Sequence, residues 1–232
     1  MLFRIFFIFL AAFAISCGSS EQNNSKNEPE DSSETNHSQN SDNLATETDK
    51  RTILFFGNSL TAGYGLDDID QSFVSLIQKR IDSLGLDYKT VNAGLSGETT
   101  ASGNSRIDWI LQQKVDIFVL ELGANDGLRG IDTEETRRNL QSMIDKVEAK
   151  YPEAKIVLCG MLVPPNMGQD YGDKFQVIYP ELAEENDISL IPFLLDKVAG
   201  EPELNQGDGI HPTAEGHEIV AENVWEVLGD LF

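Results

Sequence analysis

Apolar positions along this chain fall into two alternating kinds of run, short continuous blocks and longer periodic stretches. Thr52–Phe56, Thr90–Asn92, Ile117–Glu121, Lys155–Cys159 and Ser189–Pro192 are the short blocks, the pattern of buried strands. Amphipathic stretches near 70–84, 99–113, 133–150 and 174–186 lie between them, and another follows near 213–231. In the stretch 133–150, Leu140, Ile144 and Val147 recur at helical spacing, one apolar stripe on an otherwise charged segment. Strands alternating with helices predict an α/β protein: a three-layer α/β/α arrangement around a five-stranded parallel sheet. In such sheets the functional site lies beyond the carboxyl ends of the strands, so chemistry-bearing residues are expected just after the strand blocks.

The N-terminal region breaks this pattern. Residues 1–16 carry Arg4 and then an apolar run to Ile15, the size of a secretory signal and short for a membrane span. The run ends in Ala14-Ile15-Ser16-Cys17-Gly18, which is similar to a bacterial lipobox, with Ala14 where Leu is favoured. On that reading cleavage leaves Cys17 as a lipidated N-terminus; an ordinary secretory signal or an uncleaved anchor are the alternatives. Two or more acyl chains suffice for stable anchoring. From Gly18 to Lys50 the composition turns to Ser, Asn, Glu, Gln, Thr and Asp, with Leu44 the one large aliphatic residue and no Phe, Tyr or Trp. Such a segment cannot offset its ordering entropy by burial, so it reads as a disordered tether, with His37 solvated within it. The expected organisation is therefore a lipoprotein signal peptide at 1–16, a polar tether at 17–50 and a catalytic domain at 51–232. That places the protein outside the cytoplasm, membrane-anchored on the periplasmic side or at the cell surface.

Charge narrows the partners. The chain has a formal net charge of −22, and residues 51–232 alone carry 14 Lys and Arg against 31 Asp and Glu. No basic stripe exists to meet a phosphate backbone, which argues against nucleic acid. The same field disfavours highly phosphorylated substrates such as coenzyme A esters. Cys159 stands in the apolar run Ile156–Cys159, where a lone cysteine is expected to be a buried, inert hydrophobe.

Candidate chemistry falls where the strand rule puts it. The first block ends in Phe56-Gly57-Asn58-Ser59-Leu60, where a Ser in a strand-to-helix turn can serve as a nucleophile, or merely cap a helix. A nucleophilic Ser needs a base. Within 51–232 the histidines are His211 and His217. His211 lies in Asp208-Gly209-Ile210-His211-Pro212 before the last helix, so Asp208 can reach one ring nitrogen and fix the tautomer. His217, between Glu215 and Glu218, is expected on the surface. Two further strand ends, Leu95-Ser96-Gly97-Glu98-Thr99 and Glu121-Leu122-Gly123-Ala124-Asn125-Asp126, offer the Gly97 N–H and the Asn125 amide as donors to an oxyanion. Taken singly, these could be a helix-entry glycine and a turn-stabilising Asn. The Asp67-Asp68-Ile69-Asp70 cluster lacks calcium-ligand spacing and sits where acidic residues favour a helix N-terminus.

Together these four strand-end motifs resemble the GDSL/SGNH hydrolases, in particular their thioesterase I/lysophospholipase L1/arylesterase type, over nearly all of residues 52–230. The resemblance implies a flavodoxin-like SGNH fold and a catalytic triad of Ser59, Asp208 and His211. It also implies an oxyanion hole made by Ser59, Gly97 and Asn125, with no metal or cofactor. Asn58 replaces the family's usual Asp before the nucleophile, which bears on rate or pH optimum rather than mechanism. In the family, Leu128 and the loop Met161–Gly168 border an acyl-chain groove. The implied activity is hydrolysis of acyl or aryl esters, lysophospholipids included, through an acyl-enzyme on Ser59. A glycan O-acetyl esterase of the same superfamily is the alternative enzyme, and a flavodoxin-like binding module the non-enzymatic one. The expected partners are a small ester or lysophospholipid and, through the anchor, a membrane; a monomer is favoured.

Overall fold

The computed structural model describes residues 50–232. The proposed signal peptide, Cys17, His37 and nearly all of the tether lie outside the described residues.

The five strands are β1 (Arg51–Gly57), β2 (Tyr88–Gly94), β3 (Ile117–Glu121), β4 (Lys155–Cys159) and β5 (Ser189–Ile191). All pair in parallel, in the order β2-β1-β3-β4-β5. Ile53–Phe56 and Ile117–Leu120 in the central strands are buried, as side chains covered on both faces of a sheet must be. Phe56 stacks on Phe118 at 5.8 Å, which ties β1 to β3 through side chains as well as through the ladder.

The helices are α1 (Ser59–Ala62), α2 (Phe73–Ser83), α3 (Thr100–Ile110), α4 (Ala124–Arg129), α5 (Thr133–Lys150), α6 (Gln169–Gln176), α7 (Ile178–Glu185) and α8 (Ala214–Leu228). The chain moves outward from β1 to β2 and then back past β1 to β3. With right-handed crossovers that reversal sends α2 to one face of the sheet and α3 to the other. Accordingly α2 packs on α8, while α3, α5 and α7 pack in series. The predicted three layers are present.

Most boundaries follow from capping side chains. Ser72, Thr99, Asp132 and Thr213 each accept a backbone N–H in the first turn of α2, α3, α5 and α8. The expected helix near 70–84 therefore starts at Phe73, because Asp68 caps a separate single turn at Ile69–Gln71. The stretch expected as one helix near 174–186 is two, α6 and α7, meeting at Val177. Pro180 explains the break: it has no N–H to continue a helix from α6, but fits within the first turn of α7.

Candidate active site

The nucleophile candidate sits where β1 turns into α1 without a loop. The last residue of β1 is held to glycine, because a Cβ on Gly57 would lie 2.1 Å from Thr61 Oγ1 and 2.5 Å from Glu121 Oε2. Asn58 caps α1, its Oδ1 accepting the Leu60 N–H at 2.9 Å. Gly63 then closes the helix at φ +70, in the left-handed region. Ser59 is the first residue of α1, and its side chain meets the loop between β5 and α8.

That loop is braced as a short antiparallel pair. Thr213 N–H donates to the Leu204 carbonyl at 2.9 Å and Gln206 N–H to the His211 carbonyl at 2.7 Å, with Asn205 opposite Pro212. Gly209 makes the reversal at φ +74. Asp208 Oδ1 accepts the Ile210 and His211 backbone N–H groups at 3.0 and 3.1 Å, which aims Oδ2 at His211 Nδ1, 2.6 Å away. The His211 ring N–H, followed by the Ile210 amide, holds the Asp208 carboxyl down at about 2. An ionised Asp208 can only accept, so the proton of a neutral imidazole belongs on Nδ1. Nε2 is thereby the acceptor for the Ser59 hydroxyl, at 2.8 Å. Residues 59, 208 and 211 thus form one hydrogen-bonded row. The Tyr64 ring lies against His211, centroids 4.7 Å apart.

Two more strand ends reach the same cleft. Gly97 adopts φ +80, a conformation L side chains rarely take, and its carbonyl accepts from Arg129 at 3.1 Å. Asn125, near the start of α4, donates one amide hydrogen to the Glu98 carbonyl at 3.1 Å. Glu98 is itself buried and held by Arg106, whose Nε donates at 2.7 Å. Ser59, Gly97, Asn125 and His211 line one cleft of about 760 Å³, within the usual size of a small-molecule site of roughly 300–1,000 Å³. Leu128 from α4, Met161–Pro165 after β4, and Phe193 and Leu195 after β5 complete its walls. A smaller depression between α2 and α8 holds the Arg80–Glu222 ion pair and none of these groups.

One expectation is corrected. His217 is not a surface residue: it is 1% exposed. It lies on the face of α8 that also buries Val220, Ala221 and Val224, while Glu215 and Glu218 turn outward. Its Nδ1 accepts the Phe73 N–H at 3.2 Å and its ring stacks on Phe73. Burial pulls its pKa down to about 4, so it is a neutral structural imidazole. Cys159 is buried and free as expected, its thiol pushed well above its ordinary range by burial.

Glu121, Gln206 and Tyr64 carry no motif that singles them out in the sequence. A visible signal exists only for Glu121, a carboxylate ending an otherwise apolar strand.

Residues 55–219 match the GDSL-like Lipase/Acylhydrolase family. The chain is 40% identical over 189 residues to an esterase, TesA, of Pseudomonas aeruginosa, covering 81% of this chain and 92% of that protein. It is 36% identical over 172 residues to thioesterase 1/protease 1/lysophospholipase L1 of Escherichia coli strain K12, covering 74% of this chain and 80% of that one. A crystal structure of TesA superposes with a TM-score of 0.75 at 40% identity, over 78% of this chain and all of the other. The chain belongs to the GDSL-like lipase/acylhydrolase family and is a serine esterase, a hydrolase of carboxylic esters.

Proposed function

We propose that Ser59, Asp208 and His211 perform this hydrolysis through an acyl-enzyme, on medium- to long-chain acyl or aryl esters, lysophospholipids included. The observation that carries the reading is the unbroken row from Asp208 Oδ2 through the His211 ring to Ser59 Oγ, with contacts of 2.6 and 2.8 Å.

In the first half-reaction His211 Nε2 takes the Ser59 proton as Oγ attacks the ester carbonyl. Asp208 keeps the ring oriented and stabilises the imidazolium that forms. The negative charge developing on the carbonyl oxygen is met by the Ser59 and Gly97 N–H groups and by the second amide hydrogen of Asn125. Collapse of the tetrahedral intermediate sends the Nε2 proton to the leaving alcohol. Water then enters, gives a proton to His211 and releases the acid by the same sequence. A thioester follows the same path with a thiol leaving. The apolar walls formed by Leu128, Met161–Pro165 and Phe193 support an acyl chain rather than a sugar as the part of the substrate that is bound.

The anchor belongs to this reading too. Residues 1–16 and Cys17 support an exported lipoprotein, and the polar stretch up to Lys50 a tether from a membrane to the esterase domain. Among the described residues no helix is long and apolar enough to cross a membrane.

The test is a p-nitrophenyl ester series from acetate to palmitate, with Ser59→Ala as control. We expect kcat/KM to rise from two carbons into the medium-chain range, and Ser59→Ala to abolish turnover. Activity confined to acetate would favour the glycan O-acetyl esterase reading. Turnover persisting in Ser59→Ala would overturn the mechanism.

A further inference from the structure

Glu121 is the last residue of β3, and it is 1% exposed. No Lys, Arg or His among the described residues pairs with it. Its two carboxyl oxygens are instead surrounded by the turn that carries Ser59. Asn58 Nδ2 donates to Oε1 at 2.7 Å and Asn58 N–H to Oε2 at 3.0 Å. Thr61 Oγ1 and Thr61 N–H donate to Oε2 at 2.7 and 3.3 Å. The same Asn58 side chain accepts the Leu60 N–H, so one Asn joins the carboxylate to the start of α1. Residues on both sides of Ser59 are therefore tied to a single buried anion, one strand away.

We propose that Glu121 is a positioning residue for the Ser59 turn, active as the carboxylate and weakened when it gains a proton. The proposal rests on the reading of Ser59 as nucleophile. Each neighbour of the carboxyl is a donor; the Thr61 hydroxyl can turn round to accept, whereas Asn58 can do so only by flipping its amide and giving up the Leu60 N–H. A proton on Glu121 thus faces a crowded set of hydrogens, and at least one of the contacts holding Asn58 and Thr61 must lengthen. Ser59 Oγ lies between those two residues in sequence, and its 2.8 Å approach to His211 Nε2 depends on where that turn sits. The titratable groups that feel the Glu121 charge are Cys159 of β4 and Tyr179 of α7, both neutral by burial, and Asp126 of α4 acts on the same Tyr179. None supplies a positive charge. Burial accordingly pushes the Glu121 carboxyl up to about 7, against the pull of its four donors, so it changes charge near neutral pH.

The acid side of the rate profile then contains the protonation of Glu121. The experiment is the pH dependence of kcat and KM on p-nitrophenyl esters for the wild type, Glu121→Gln, Thr61→Val and Thr61→Ser. Gln copies the shape of the protonated acid and cannot titrate. For Glu121→Gln we expect kcat at pH 8 to fall about tenfold, the change made by one weakened charge-assisted hydrogen bond. KM should stay within about twofold and the acid limb should lose one proton. Thr61→Val, lacking the hydroxyl donor, should lower kcat in the same way, and Thr61→Ser should restore it. If Glu121→Gln does not fold, the Thr61 pair decides the matter through the same kcat and rescue readouts. Wild-type kcat with an unaltered acid limb in Glu121→Gln would overturn the proposal, as would a loss in Thr61→Val that Thr61→Ser does not restore. Should Ser59→Ala remain active, the nucleophile reading fails first; should Ser59→Ala be dead and Glu121→Gln normal, only this inference fails.

Discussion

Gln206 reaches from the His211 loop to the Ser59 turn: its Nε2 donates to the Tyr64 carbonyl at 2.8 Å and to the Pro212 carbonyl at 2.9 Å. Its backbone N–H also holds the His211 carbonyl at 2.7 Å. One side chain thus fixes the separation of two segments that contribute opposite halves of the proposed nucleophile–base pair. Gly65 keeps its place beneath it, since a Cβ there would fall 2.1 Å from Gln206 Oε1.

Gln206→Ala should therefore leave the fold intact but loosen the register of His211 against Ser59. We expect kcat to fall on the order of tenfold, the cost of a small misplacement of reacting groups, with KM little changed. Steady-state kinetics beside a thermal melt separates this from unfolding: an unchanged kcat would show that the loop holds its position without the link.

Asn125→Ala removes a side-chain donor to the proposed oxyanion and the 3.1 Å bond to the Glu98 carbonyl. By analogy with other oxyanion-hole donors, kcat should drop about 10²- to 10³-fold, while labelling of Ser59 by a fluorophosphonate continues more slowly. A decrease below about threefold would remove Asn125 from the hole.

His217 predicts the acid stability of the domain. Its folded pKa, about 4, lies below the ordinary 6.5, so the unfolded chain binds the proton more readily. Stability from this group is complete above pH 6.5 and is lost as pH falls from there through 4, with roughly 3 kcal/mol at stake over the full range. Glu121 acts in the opposite sense: its pKa is raised from 4.5 to about 7, so stability from it is complete below 4.5 and is lost as pH rises through about 7. Between about 4.5 and 6.5 the two slopes oppose each other, so the wild-type urea midpoint should be nearly level there. In His217→Asn, whose side-chain oxygen can still accept the Phe73 N–H, the Glu121 slope is left alone and the midpoint should fall as pH rises from 4.5 to about 7. A variant midpoint as level as that of the wild type would remove His217 from this balance.

Cys17→Ser tests the anchor. If Cys17 is lipidated, the wild type should fractionate with membranes and partition into detergent, and the variant should appear in the soluble extracytoplasmic fraction with unchanged esterase activity. A variant that stays membrane-bound would mean that the apolar stretch of 1–16, not an acyl chain, holds the protein.

Local pattern alone determined the strand blocks, the placing of Ser59, Gly97 and Asn125 just after strands, and that of Asp208 and His211 in the loop before the last helix. These are readable because burial on a sheet demands continuous apolar runs, and because a turn leaving a parallel strand admits few residue types. Capping at Ser72, Thr99, Asp132 and Thr213 is local in the same sense, one side chain meeting an amide two or three residues on. His217 went the other way. Its flanking glutamates suggest a solvated face, but which stripe of α8 turns inward depends on α2 supplying Phe73 from a segment 144 residues away. Gln206 was silent and Glu121 stood out only as a carboxylate ending an apolar strand, since what each does is set by partners 142 and 63 residues distant that meet only when β1, β3 and the loop before α8 are assembled. Sequence spacing specified which groups stand at the rim of the sheet. Only the packed structure brings a buried carboxylate against the Ser59 turn and a bridging amide between that turn and the His211 loop, because those contacts are made between elements and not along them.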